Sequence, residues 1–185
     1  MQATAMGQLE LRRPTIKDLD SIVQLDQVCL GGFWSHQGYA RELENSHHTL
    51  LVVATLDQVW GCGVSWGIAD ELHLVLLMVH PQYRRQGLAG LLLCRLLQLG
   101  HQGGDRQWAT LEVRASNEAA QRLYQHFGFE LVGRRPHYYD NPPEDALILW
   151  RNHLNTPETG QELQQHWQHW RSRVEAQGWS LSDRT

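Results

Sequence analysis

Apolar positions change period several times along the chain, and each change marks an element. Leu9 and Leu11 alternate with polar neighbours ahead of Pro14, the pattern of a short opening strand. Thr15 followed by Asp18 is a capping-box signal, and Leu19, Ile22, Val23, Leu25 and Val28 then recur at helical spacing until Gly31-Gly32. A second helix is predicted from Ser35 to about Glu44. Thr49 to Thr55, Val59 to Trp66 and Leu72 to Val79, separated by turn residues at Asp57-Gln58 and Ala69-Asp70, read as a three-stranded antiparallel meander.

The leucine-rich run from Gly87 to Leu99 fits a helix that buries a wide face, and Trp108 to Arg114 reads again as a strand. Strand, helix, strand demands a parallel crossover. Another helix is predicted from Asn117 to Phe127, with Ala120, Leu123, Tyr124 and Phe127 on one side and Gly128 beyond its end. Phe129 to Val132 and Ala146 to Trp150 supply two more strands around a loop holding Asn141-Pro142-Pro143. The pattern therefore describes an α/β domain over residues 1–152, its mixed sheet mostly antiparallel with one parallel crossover. Residues 153–185 differ in kind: Thr156 and Pro157 start a glutamine-rich helix on which Leu163, Trp167, Trp170 and Val174 form one apolar stripe. This extension is expected to pack on the domain rather than on a partner, because a free stripe of that size is a liability.

With 42% hydrophobic and 19% charged residues over 185 positions, the chain is globular in composition. No run approaches the roughly 20 apolar residues that span a bilayer, and Met1–Gln8 carries no secretion-signal pattern, so a cytoplasmic protein without membrane contact is expected. Cys29, Cys62 and Cys94 are odd in number and far apart, which argues for buried thiols rather than disulfides or a thiolate metal site. The eleven histidines are scattered, and the closest pairs lack a third ligand, so no metal is expected. A net charge of -4, with a single lysine among sixteen cationic residues, disfavours direct nucleic-acid binding.

The segment with specific chemistry joins the third meander strand to the leucine-rich helix: His80-Pro81-Gln82-Tyr83-Arg84-Arg85-Gln86-Gly87-Leu88-Ala89-Gly90. Small residues at 87, 89 and 90 permit close backbone approach, so free N–H groups at a helix start can hold a phosphate, with Arg84 and Arg85 adding charge. The plainer reading is an ordinary strand-to-helix turn. Downstream, alternation places Ala109, Leu111 and Val113 on one face of their strand and Thr110, Glu112 and Arg114 on the other. On spacing alone Glu112 reads as a strand carboxylate paired with Arg114 or solvent, and Tyr124 as a core aromatic.

In this segment the chain resembles the GNAT superfamily of acetyl-CoA-dependent N-acetyltransferases, whose hallmark (Q/R)xxGx(G/A) is matched by Arg84, Gly87 and Ala89. Leu111-Glu112-Val113-Arg114-Ala115-Ser116-Asn117, followed by Leu123-Tyr124 and Phe127-Gly128-Phe129, is similar to the ribosomal-protein-alanine N-acetyltransferases of that superfamily. The likeness runs from about Leu9 to Trp150. It implies the GNAT fold with helices on both sheet faces, and acetyl-CoA as co-substrate. The backbone of Leu77, Met78 and Val79 would bind the pantetheine, and Arg85, Gln86, Gly87, Leu88, Ala89 and Gly90 would cradle the pyrophosphate with Arg84 beside them. Asn117 would also touch the cofactor.

The resemblance makes Glu112 the general base and Tyr124 the general acid. An α-amino group is substantially protonated at neutral pH and attacks a thioester only when neutral, whereas a phenol still holds a proton to give a departing thiolate. No cysteine lies in a motif that would support an acyl-enzyme, so direct transfer is expected. Two segments look like the substrate-groove walls of N-terminal acetyltransferases: Phe33-Trp34, with Phe33 where relatives often carry proline, and Tyr138-Tyr139. The implied acceptor is the N-terminus of a protein starting with alanine, with a small-subunit ribosomal protein the leading choice, and the enzyme is expected to be a monomer or weak dimer. A small-molecule amine acceptor and a non-catalytic acyl-CoA- or partner-binding module are the competing readings.

Overall fold

In the computed structural model, which describes residues 7–185, the elements follow the sequence pattern closely until the last quarter of the chain. The first six residues, part of the stretch inspected for a signal, lie outside the described residues. β1 (Gly7–Arg12) buries Leu9 and Leu11, and the Asp18 carboxylate receives the Thr15 N–H at 2.7 Å to fix the turn into α1 (Leu19–Leu30). Gly31 ends α1 in a left-handed conformation, and Ser35 caps α2 (His36–Glu44) by accepting from the Gly38 N–H. The meander is β2 (His48–Ala54), β3 (Val59–Ile68) and β4 (Glu71–Val79). Then α3 (Leu88–Gln102) crosses to β5 (Trp108–Arg114), and α4 (Glu118–His126) leads to a hairpin of β6 (Glu130–Asp140) and β7 (Pro143–Arg151).

The sheet has eight strands in the order β6-β7-β5-β4-β3-β2-β1-β8. One buried cluster lies beneath α1 and α2, with Leu19, Ile22, Leu25 and Tyr39. The other lies beneath α3, with Leu91, Leu92, Leu96 and Leu97, so helices cover both faces.

Three expectations need correction. The hairpin strands are much longer than Phe129–Val132 and Ala146–Trp150, because β6 is an edge strand whose polar, largely exposed residues hide its alternation. Pro136 is tolerated there, where the ladder shifts register between Arg135 and Tyr139. The parallel pairing is not limited to the β4–β5 crossover. The tail is also more than a helix: α5 (Pro157–Glu175) is followed by β8 (Trp179–Arg184), which pairs in parallel with β1 from Gly7↔Trp179 to Arg12↔Arg184. Trp179 and Leu181 alternate with Ser180 and Ser182, a period-2 signal that completes a second parallel crossover.

α5 lies along α3, and its stripe is buried on this chain as expected. Leu163 and Val174 are fully buried, and Trp167 and Trp170 pack against the same cluster. Gly90 permits the approach, since a β-carbon there would run into the Trp170 indole. Buried Arg151 ties the end of α4 to α5, donating to the Phe127 carbonyl and pairing with Glu162 at 2.8 Å. Leu163→Ala should therefore cost about 2–5 kcal/mol, the range for emptying a filled aliphatic site. Urea denaturation checks this, and the midpoint should not depend on protein concentration if the stripe is satisfied within one chain.

Candidate active site

The site begins where two parallel neighbours separate. β4 pairs with β5 only from Glu71↔Trp108 to Leu74↔Leu111, while its pairing with β3 continues to Val79. At the point of departure the β3–β4 ladder shifts register, leaving Val75 unpaired between Leu74 and Leu76, and such a bulge bends the strand that carries it. Beyond Leu74, among the described residues, the β5-facing edge of β4 has no strand beside it. The His80 N–H bonds to the Trp60 carbonyl of β3, so the alternation of the antiparallel ladder turns the backbone of Leu77 and Val79, and not that of Met78, toward a wedge-shaped gap.

A cavity of about 360 Å³ fills this gap. Its wall brings together Phe33, Trp34, Leu77, Glu112, Asn117, Tyr124, Tyr138 and Tyr139, eight of the residues singled out in the sequence, from five separate stretches of chain. Each has a reason to be there. Buried Asp26 on α1 accepts the N–H groups of Phe33 (2.9 Å) and Trp34 (2.8 Å), folding that turn over the sheet, and Trp34 stacks on Trp66. Tyr138 and Tyr139 reach the cavity from the far end of β6, where the Arg114 guanidinium lies 4.1 Å above the Tyr139 ring. Asn117 caps α4, its side-chain oxygen accepting the Ala120 N–H at 3.1 Å.

Glu112 does not pair with Arg114, which instead binds Glu144. Its carboxylate lies 3.3 Å from His73 Nε2 and 3.2 Å from Arg135 Nη2. His73 Nδ1 in turn meets the Thr110 hydroxyl at 2.9 Å, and that hydroxyl donates to Glu71. With the Thr110 proton committed to Glu71, Nδ1 is the donor to Thr110. The contact from Nε2 to Glu112 is then attractive when this nitrogen carries a proton as well. His73 and Arg135 were not among the sequence candidates. The signal was nonetheless present: parallel register puts His73 beside Thr110, hence on the Glu112 face, once alternation is carried across the crossover.

Tyr124 is 8% exposed, and burial, with Tyr139 nearby, raises its phenol above the ordinary tyrosine range. Burial, followed by neighbouring Tyr138, pushes Tyr139 up to about 12, against the lowering effect of Arg114.

At the end of β4 the chain turns through Arg84 to Gly90 into α3. Arg85 (φ 65°) and Gly87 (φ 100°) lie in the left-handed region, and the first turn of α3 leaves the N–H groups of Leu88, Ala89 and Gly90 without partners inside the helix. The Arg84 side chain is tied to the end of β4, its Nε donating back to the Val79 carbonyl at 3.2 Å. Met78 is a correction to the sequence reading: its side chain lies in the core beneath α1 and its backbone faces β3, so it does not border the gap. Among the described residues no three His, Cys, Asp or Glu side chains converge as metal ligands, and no helix is long and apolar enough to cross a membrane.

Residues 19–129 match the model of the acetyltransferase (GNAT) family. The chain belongs to that family. It is 31% identical over 135 residues to the [ribosomal protein bS18]-alanine N-acetyltransferase of Escherichia coli K12, an alignment covering 71% of this chain and 89% of that one. The Salmonella typhimurium enzyme of the same name is 32% identical over 135 residues, with the same coverage. The crystal structure of the E. coli ribosomal-protein-S18-alanine N-acetyltransferase superposes with a TM-score of 0.70 at 27% identity, covering 78% of this chain and 94% of that one.

This GNAT protein is an acetyl-CoA-dependent N-acetyltransferase, and its own residues fit that co-substrate. The β4 edge offers unpaired backbone to an amide-bearing arm, and the N–H groups of Leu88, Ala89 and Gly90, without partners inside α3, offer donors to its phosphates. Because burial disfavours the phenolate, Tyr124 should keep its proton throughout the neutral and mildly alkaline range. In an absorbance titration, wild type and Tyr124→Phe should coincide below about pH 10, where ordinary tyrosines ionise, and diverge only above it.

Proposed function

We propose that this enzyme acetylates the N-terminal α-amino group of a protein, a ribosomal protein beginning with alanine, by direct attack of the amine on the acetyl-CoA thioester. The observation that carries the reading is the acceptor end of the cavity. Phe33 and Trp34, Tyr138 and Tyr139, and Glu112 line the same cavity. Such a slot suits an extended chain end with a small first side chain, its backbone amides read by tyrosine hydroxyls. The relatives named above act on the alanine of ribosomal protein bS18 by their names, which supports this acceptor and a cytoplasmic site of action.

In this reading Glu112, oriented by His73 and Arg135, takes the proton of the α-ammonium directly or through water. The neutral amine nitrogen bonds to the acetyl carbonyl carbon, the C–S bond breaks, Tyr124 gives its proton to the departing thiolate, and the proton left over on the acylated nitrogen passes through water to the Tyr124 phenolate. Acetyl-CoA supplies the activated acetyl group. The backbone of Leu77 and Val79 holds its pantetheine arm, the N–H groups from Arg85 to Gly90 hold its pyrophosphate, and Asn117 borders the arm. No cysteine lines the cavity, which supports direct transfer.

Glu112→Gln and Tyr124→Phe should each lower kcat by about 10²- to 10⁴-fold while leaving acetyl-CoA affinity unchanged. Wild-type turnover in either variant would remove that residue from the mechanism. Acceptor choice is tested by a panel at fixed acetyl-CoA. Peptides beginning with alanine should outcompete free amino acids, polyamines and internal lysines, and Tyr139→Ala should raise KM for peptide more than for acetyl-CoA. A preference for a polyamine would overturn the peptide acceptor while leaving the family assignment intact.

A further inference from the structure

The turn from Arg84 to Gly90 does not stand alone. Its outer side is covered by the C-terminal elements. Arg173 Nη2 on α5 donates to the Arg85 carbonyl at 3.3 Å, and Trp179 Nε1 on β8 donates to the Gln86 side-chain oxygen at 3.0 Å. Val174 and the Arg173 stem lie against Gly87, and Trp170 lies against Gly90. All four contacts come from outside the family core, whose model ends at residue 129. The E. coli structure is matched over 94% of its length by 78% of this chain, so little of it is left to supply a counterpart.

We infer that the α5–β8 unit braces the acetyl-CoA phosphate turn, with Arg173 and Trp179 as its positioning residues. This inference rests on the phosphate-binding reading of that turn given above. The physical step is the planarity of the peptide group. In a trans peptide the carbonyl and the following N–H point in opposite directions, so fixing one aims the other. Arg173 holds the Arg85 carbonyl toward α5, which turns the Gln86 N–H away from α5, to the side a phosphate can reach. Arg85 needs such help, because a residue with a β-carbon disfavours the positive φ it adopts and relaxes unless its surroundings hold it. Trp179 fixes the next residue through its side chain. Neither residue touches the reacting atoms, so both act by preparing the turn.

Gly87→Val would confuse this question, since its side chain would press on Val174 and the Arg173 stem and force a β-branched residue into a positive φ. Arg173 is exposed, and its removal leaves the core intact. Isothermal titration of the full chain with CoA, and with pantetheine by displacement, separates the possibilities. Arg173→Ala should weaken CoA binding about three- to tenfold, the range of one hydrogen bond, with pantetheine affinity and melting temperature unchanged. Arg173→Lys should recover part of the loss, and Trp179→Phe should reproduce it. Unchanged CoA affinity in both Arg173→Ala and Trp179→Phe, or an equal loss for pantetheine, would overturn the brace. A wild-type protein that binds CoA no more tightly than pantetheine would overturn the phosphate assignment itself, and the brace with it.

Discussion

The arrangement depends on one strand keeping one neighbour and leaving the other. β4 remains bonded to β3 as far as Val79 but parts from β5 after Leu74. A strand edge inside a folded domain exposes N–H and C=O groups that water reaches poorly, and leaving them unmade is costly. The protein answers part of this demand itself: Arg84 and the Cys29 thiol both donate to the Val79 carbonyl. What remains is the backbone of Leu77 and the N–H of Val79, a hydrogen-bonding edge that suits an extended, amide-bearing ligand, the same logic by which a peptide adds a strand to an open sheet.

The gap also sorts the chemistry. β5 presents Glu112 beside the gap, with Arg135 donating to it and the His73 ring against it, whereas α4 presents Tyr124 among apolar neighbours that raise its pKa. A carboxylate with polar partners and a phenol kept neutral by burial are suited to opposite halves of a proton exchange, and their environments set that division. The aromatic lining of the cavity comes from chain segments a hundred residues apart, each held by a neighbour: Phe33-Trp34 by the buried Asp26 carboxylate, Tyr139 by Arg114. Rigid backing of this kind keeps a groove open in the absence of ligand.

Much of this was legible in the sequence because it is local. Helix caps, the meander and the Arg84–Gly90 turn each follow from a few adjacent residues. Glu112 and Tyr124 are different: on pattern alone they read as a surface carboxylate and a core aromatic, and only the resemblance singled them out. What escaped was written in pairings between strands. His73 becomes informative only when the β4 register is laid against β5. β6 was cut short because an edge strand has little need of an apolar face, so Gly133 to Tyr139 carries almost no alternation. β8 was overlooked because two glycine-flanked turns of alternation, Trp179 and Leu181 between serines, are weak beside the long helix that precedes them.

The C-terminal unit changes how the glycine-rich turn is to be understood. Without β8, β1 would be an open edge. With it, the edge residues are Ser180, Ser182, Asp183 and Arg184, tied down by Arg95–Asp183 (2.9 Å) and Arg184–Glu10 (3.1 Å), a polar and charged border that discourages further pairing. Reaching that edge from β7 requires a helix to cross the face already occupied by α3, and the crossing is close enough to demand glycine at position 90. Gly90 is therefore small for the sake of Trp170, and Gly87 is glycine both for its positive φ and for Val174. Small residues in this turn do not by themselves argue for a phosphate. What favours a phosphate is direction: α5 packs on one side of the turn and holds the Arg85 carbonyl toward itself, while the first-turn N–H groups of α3 have no partners within the helix and point out of its N-terminal end.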